Sequence, residues 1–348
     1  MDAPTLLDFS AMKSILVLQM KRIGDFILTT PALRALRAAF PQTHLTLVVD
    51  EDTAAAASLI RGIDLTLVYR KNSLNPSLFR TLLRGGFDLA LDYTETDRSA
   101  FLTRLSRARH RLTFSPTVGR PARAWATTQR IDSPVLARHT VDRQLDLLSP
   151  LGIQVPQPDL HLDLNDDAFL SLEKIVPAQN YFVFHPGAAR AEKYWPAHRW
   201  AEVITHAQSV LAYPVILIGG NSPLERTAIA DIQRLLPHPA MDLSGRFTLE
   251  QSAALISRAA LFLGIDSGPS HLAAALQTPQ ITLFGPTNPF HWRARHPRAL
   301  TLQGGKTNPL TDFSPQSPGG DLNALSTADV IHAINLLVKS SNTHASGL

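Results

Sequence analysis

Cysteine is absent from the 348 residues. That excludes disulfides, thiolate zinc sites, iron–sulfur clusters and cysteine nucleophiles, and a reducing, cytoplasmic setting fits best. Long apolar runs are also missing; none approaches the roughly 18 to 20 residues needed to span a bilayer. Asp2 and Asp8 precede any hydrophobic stretch, which is the wrong order of charges for a secretory leader. Three sharper signatures fail as well. No G-x-G-x-x-G fingerprint follows the first apolar run, which weakens a dinucleotide oxidoreductase reading. Gly305-Lys306-Thr307 lacks the first glycine of a P-loop, because that place is taken by Leu300. The 13 histidines form no H-E-x-x-H pair, so a catalytic zinc has no support.

What is present is a chain 45% hydrophobic and 18% charged, enough for about two globular domains at roughly 150 residues each. The net charge of +4 is unevenly spread: residues 1–160 carry 20 Lys/Arg against 15 Asp/Glu, residues 161–348 carry 13 against 14. Residues 98–143 hold ten arginines and two acids, Asp132 and Asp142. The first half is therefore suited to meet an anion.

Residues 14–18 read as a buried strand, with the first eleven residues an optional extension and Met12 an alternative start. A helix over about 31–40 follows, Pro31 standing in its first turn where the missing N–H does no harm. Strands at 44–49, 65–69 and 87–91 then alternate with helices at 53–60 and 76–84, the pattern of βαβ units and a parallel sheet. Pro116, Pro121 and Pro134 interrupt a basic, loop-like middle before a helix over about 138–148. Crowded Pro150, Gly152, Pro156 and Pro158 mark a boundary, giving domains 1–158 and 159–348. A second series has strands at 181–184, 215–218, 261–264 and 280–284, with helices at 197–210, 223–235 and 270–276. Residues 304–320 are too rich in Pro and Gly for regular structure. A closing helix over 327–339, capped by Thr327, is free to pack back on the first domain. The expected class is α/β, two Rossmann-like doubly wound domains.

In open α/β sheets ligands sit at the carboxyl ends of strands, so the loops there carry the chemistry. Lys21-Arg22-Ile23-Gly24-Asp25 follows the first strand, where Gly24 allows a tight backbone and Asp25 is either a carboxylate at the mouth of the cleft or a helix-start cap of free amides. His185-Pro186-Gly187-Ala188-Ala189 offers main-chain amides to an anion, with Lys193 as a point charge. Gly219-Gly220 with Glu225 could hold a ribose diol. Asp266-Ser267-Gly268-Pro269-Ser270-His271 opens a helix whose unpaired amides and dipole favour a diphosphate, although Asp266 or Ser267 could simply cap it. Asp50-Glu51-Asp52 matches the D-x-D that holds a metal in some sugar transferases, but acids at a helix start are commonplace.

Together these blocks resemble the bacterial heptosyltransferases, lipopolysaccharide-building glycosyltransferases of GT-B fold, in which two Rossmann-like domains face a central cleft. The resemblance rests on residues 15–25 with Thr30-Pro31-Ala32-Leu33, His185-Pro186-Gly187 with Lys193-x-Trp195-Pro196, and Gly219-Gly220 with Glu225. It continues in Ser244-Gly245 with Thr248-Leu249, and in 266–271 through Leu283-Phe284-Gly285-Pro286-Thr287. The resemblance implies an inverting, metal-independent transfer from ADP-heptose, a substrate rather than a cofactor, to a hydroxyl of the lipopolysaccharide inner core. Asp25 would be the base. Gly187, Ala188, Ala189, Lys193, Glu225, Asp266, Ser267, Gly268 and His271 would bind the donor, with Phe247 lining the adenine. The anionic glycolipid acceptor would meet Arg22, Arg120, Arg123 and Arg130. Two departures stand out: alanines at 188 and 189 where the family often has hydroxyls, and no cysteines in the late loop. The expected protein is a monomer, peripheral on the cytoplasmic face of the inner membrane. A nucleotide-sugar epimerase would share the two domains but not need the arginines. A nucleic-acid binder would suit them, but the basic stretch has only Phe101, Phe114 and Trp125 as stacking rings.

Overall fold

A computed structural model describes residues 12–115 and 121–345. The optional extension, Pro116 and Arg120 lie outside the described residues. The chain divides into two compact units, 1–163 and 164–348. Residues past Pro158 stay with the first unit because Asp163 is bonded into it: its amide donates to the Leu59 carbonyl (2.8 Å) and its carboxylate accepts from the Arg61 amide (2.9 Å).

The first unit runs β1 (Ser14–Leu18), α1 (Ile23–Ala39), β2 (His44–Asp50), α2 (Ala54–Ala57), β3 (Leu65–Tyr69), α3 (Pro76–Arg84), β4 (Leu89–Asp92), α4 (Asp97–Leu105), β5 (His110–Ser115), α5 (Pro121–Ala126), β6 (Gln129–Asp132) and α6 (Thr140–Asp146). The second runs α7 (Asp166–Leu170), β7 (Phe182–His185), α8 (Ala197–Ser209), β8 (Val215–Leu217), α9 (Pro223–Leu235), β9 (Met241–Asp242), α10 (Leu249–Ser257), β10 (Leu261–Ile265), α11 (Gly268–Ala275), β11 (Gln280–Phe284), α12 (Pro289–Trp292), β12 (Ala299–Gln303) and α13 (Thr327–Ala345).

Both sheets are parallel and six-stranded, ordered β3-β2-β1-β4-β5-β6 and β12-β11-β10-β7-β8-β9. Each is the doubly wound order that reverses beside its first strand, between β1 and β4 and between β7 and β10. Helices cover both faces, which is why β1 is apolar on both: Leu16 and Leu18 pack towards α3 and α4 with Leu78, Leu82 and Leu102, and Ile15 and Val17 are also buried. Such central strands read as unbroken apolar runs. The second core gathers Phe182, Phe184, Trp200, Leu263 and Leu283.

The middle of the chain departs from the expected loop: residues 98–143 carry α4, β5, α5, β6 and most of α6. Pro121 opens α5 and Pro134 precedes a short 3-10 turn; proline is tolerated at such starts, so these were punctuation rather than interruption. The expected helix at 53–60 shrinks to the four residues of α2, and that at 138–148 begins at Thr140, where the His139 ring accepts from the Val141 amide (3.2 Å). The cap of α13 is Ser326, whose Oγ accepts from the Asp329 amide (3.2 Å), not Thr327. Val330, Ala333, Ile334 and Leu337 of α13 enter the second unit's own core, against α8 and β10. Residues 304–320 form turns only. Among the described residues no helix is long and apolar enough to cross a membrane.

Candidate active site

In the first unit the chain leaving β1 is held on three sides. The Gln19 amide donates to Thr29 Oγ1 (2.6 Å), the Met20 N–H to Thr94 Oγ1 (2.9 Å) and the Thr53 hydroxyl to the Lys21 carbonyl (2.6 Å). Helix α1 then starts with Arg22 as its cap residue, making no side-chain cap bond. Asp25 lies in the first turn, half-buried, and its carboxylate has no hydrogen bond or ion pair with any described residue. It is not the cap that its position allowed; among the described residues nothing binds its carboxylate oxygens, at the switch point of the sheet.

Beside it, Glu95 follows β4 with φ at +59°, the left-handed region that a branched or bulky residue avoids. Arg143 donates to both its oxygens (2.6 and 2.8 Å) and Lys21 to Oε2 (3.2 Å). Arg143 is itself buried, with its guanidinium 3.8 Å from the centre of the Phe114 ring. Burial pushes the Glu95 carboxyl up, but the Arg143 bonds and the two cationic charges outweigh it and hold the group below the usual carboxylate range.

In the second unit four loops converge around β7 and β10. Lys193 Nζ donates to Asp266 Oδ2 (2.5 Å) and to the Asp266 carbonyl (3.0 Å), joining the loop after β7 to the loop after β10. The strap between is fastened by the Tyr194 hydroxyl donating to the Ala188 carbonyl (2.9 Å), which buries Ala188 and leaves Ala189 exposed. Glu225 accepts from the Gly220 amide (3.1 Å) and the Ser222 hydroxyl (2.8 Å). A Cβ at Gly187 would come within 2.7 Å of Glu225 Oε1, and one at Gly220 within 2.7 Å of Oε2, so only glycine admits the carboxylate there. The His185 ring faces Glu225 at 3.6 Å, an ion-pair distance rather than a full hydrogen bond. That ring is the largest influence lowering the Glu225 carboxyl, to about 2; burial opposes it, and the Ser222 and Gly220 bonds assist. On its other side His185 Nδ1 lies 3.2 Å from Ser267 Oγ. The Ser267 hydroxyl also reaches the Ile265 carbonyl, to which it donates (3.0 Å). The loops after β8 and β9 touch where the Gly245 amide donates to the Gly219 carbonyl (2.8 Å). Gly245 has φ +65°, and a Cβ there would overlap Asn221.

Of the donor-binding residues expected, Gly187, Ala188, Lys193, Glu225, Asp266, Ser267 and Gly268 thus share one end of one sheet. Phe247 stands half-buried just before Thr248, the cap of α10, and His271 is buried on α11. The expected acceptor arginines that are described lie on separate elements. Arg22 is exposed three residues before Asp25; Arg123 Nε donates to Asp97 (2.6 Å); Arg130 sits on edge strand β6; Arg120 is outside the described residues. Asp50 and Asp52 both pair with Lys71 (3.3 and 2.8 Å), and Asp50 with Arg98 as well (3.6 Å). Among the described residues no group of three or more His, Cys, Asp or Glu could hold a metal. Residues without an assigned role in the sequence are His185, quoted there only as the first residue of its loop motif, and the Glu95–Arg143 pair, 48 positions apart, for which no local signal exists.

Residues 76–321 match the family model of glycosyltransferase family 9 (heptosyltransferase). The chain is 31% identical over 290 residues to lipopolysaccharide heptosyltransferase 3 of Escherichia coli K12, spanning 79% of this chain and 83% of that protein. The fold is similar to a family 9 glycosyl transferase from Veillonella parvula, with a TM-score of 0.81, 25% identity and 97% and 99% of the two chains covered. It is similar also to an E. coli heptosyltransferase with ADP-2-deoxy-2-fluoro heptose, with a TM-score of 0.69, 22% identity and 94% and 99% covered.

Proposed function

The chain belongs to glycosyltransferase family 9, the heptosyltransferases, and we propose that it moves a heptose from ADP-heptose to a hydroxyl of the lipopolysaccharide inner core with inversion and without a metal. The observation that carries this reading is the pairing of two unlike sites at equivalent places in two like sheets: an unpartnered carboxylate after β1, and a lysine–glycine–helix start arrangement after β7 and β10.

In the reaction the acceptor oxygen attacks the anomeric carbon as the bond from that carbon to the diphosphate oxygen breaks. Asp25 takes the hydroxyl proton, and ADP leaves with the electron pair of the broken bond. Lys193 and the first amides of α11 meet the growing negative charge on the diphosphate. Glu225, ionised at any pH above about 2, accepts from the ribose hydroxyls. The heptosyltransferase of the same fold that binds an ADP-heptose analogue supports this donor. The ion-paired state of Asp50 and Asp52 supports the metal-free scheme, and the anionic lipid of the proposed acceptor argues for a position at the cytoplasmic surface of the inner membrane.

Thermal unfolding with ADP, UDP and GDP tests the reading. ADP is expected to stabilise most, by about 2.7 kcal/mol at 100 times its dissociation constant. Equal shifts for all three would remove the adenine assignment. Loss of turnover in EDTA, restored by Mg²⁺ or Mn²⁺, would remove the metal-free scheme.

A further inference from the structure

We propose that the outer face of α3, α4 and α5 is the surface by which this protein docks on an anionic lipid bilayer. The inference rests on the membrane-bound acceptor of the reading above and identifies the surface that this reading leaves open. α4 packs against both α3 and α5, and the side chains that join them on the outside are aromatic and basic. Phe79 meets Phe101 edge-on at 6.4 Å, and the Arg104 guanidinium lies 4.7 Å from the centre of the Trp125 ring. Large apolar groups are left in water along this face: Leu83 is 43% exposed, Phe101 54% and Trp125 63%. Nothing in the fold requires them there, since α4 already buries Ala100 and Leu102 on its inner side.

The charge identifies the occupant. These three helices carry five arginines, at 80, 84, 98, 104 and 123, against one acid, Asp97; Arg123 is paired with Asp97 at 2.6 Å and Arg98 with Asp50 at 3.6 Å, so the charge offered outward is that of Arg80, Arg84 and Arg104. A net charge of one sign disfavours a second copy of this chain, because a two-fold contact would set the same arginines against each other. Single-stranded nucleic acid needs stacking rings along a groove. Here one face of Trp125 is covered by Arg104, and Phe101 has Phe79 at its edge. A bilayer interface asks for what is present: Trp and Phe at headgroup depth, arginine stems that lie along apolar surface while the guanidinium reaches phosphate, and little acid.

Co-sedimentation of the full chain with vesicles tests this. The wild type is expected to partition onto phosphatidylglycerol-containing vesicles and not onto pure phosphatidylcholine, with binding falling as salt is raised. F101S with W125S should lower the partition coefficient about tenfold or more, and Arg80→Gln with Arg84→Gln about fivefold per charge. Both pairs should keep the wild-type unfolding temperature and its shift with ADP. Wild-type indifference to phosphatidylglycerol, or unchanged partition of both double variants, overturns the proposal. So does a wild-type dimer that the F101S/W125S variant dissolves without any vesicle effect. A normal ADP shift without vesicle binding defeats this proposal alone, whereas vesicle binding without a selective ADP shift defeats the donor assignment alone.

Discussion

The Lys193 ammonium spans the switch point of the second sheet, 2.5 Å from the Asp266 carboxylate and 3.0 Å from its carbonyl oxygen. A diphosphate bound as proposed at the start of α11 would therefore compete with a carboxylate for the same cation. Lys193→Met should weaken ADP binding about 10- to 100-fold, the worth of a charge-assisted hydrogen bond, and should destabilise the fold by about 3 kcal/mol by leaving Asp266 buried and unpaired. Adding Asp266→Asn should restore stability but not ADP affinity. Calorimetric titration and thermal unfolding read the two separately; recovered ADP affinity in the double variant would reduce Lys193 to a structural role.

Asp25→Asn keeps the size of the side chain and removes the proposed base. Since Asp25 makes no cap bond, neither Asn nor Ala should cost much stability, and both should retain ADP binding while kcat falls by about 10² to 10⁴. Turnover near wild type in Asp25→Asn would take the residue out of the mechanism.

Gly187→Ala drives a methyl group into Glu225 Oε1. Donor affinity should fall about tenfold with the fold retained, and Glu225→Ala in the same background should add little, because the two changes act on one carboxylate. Strictly additive losses would separate them.

Two buried groups give opposite pH dependence. Burial pushes Asp92 up to about 6, against its bonds from Ser99 and the Thr94 and Glu95 amides. The native state thus holds its proton more tightly than the unfolded chain, and stability is lost as pH rises from about 4 to about 6, by about 3 kcal/mol. Burial pushes His296 down to about 4, with Arg298 assisting; its contribution is present above about 6.5 and is lost as pH falls toward 4. The excess stability of Asp92→Asn over wild type should therefore grow from pH 4 to pH 6, while that of His296→Gln should grow in the other direction. Parallel unfolding-temperature curves for variant and wild type would contradict either assignment.

The central strands were legible because a parallel sheet buries both faces and leaves unbroken apolar runs such as Ile15 to Leu18. The loops after them were legible because Gly, Asp and Ser must stand where backbone meets ligand. β5 and β6 were hidden by Arg111, whose guanidinium is turned back onto the Ala108 and Ala126 carbonyls, by exposed Arg130 on the edge strand, and by prolines that start elements instead of ending them. Asp25 could be placed but not freed from the capping alternative, since only the helix start at Ile23 shows that Arg22 holds the cap position. Glu95 and Arg143 were beyond reach for another reason: their partnership depends on how β4 and α6 meet in space.

The setting of Glu225 bears on how donor preference could be re-engineered. Its carboxylate is wedged among Gly187, Gly220, Ser222 and His185, and His185 in turn is tied to Ser267, so the part of the pocket proposed to read the sugar of the nucleoside is a keystone whose removal would loosen three loops. Ribose is common to ADP, UDP and GDP. Phe247, proposed to line the base, has no aromatic partner among the described residues. On that reading base preference would be rewritten at one side chain, while the frame proposed to grip the rest of the nucleotide would resist piecemeal change.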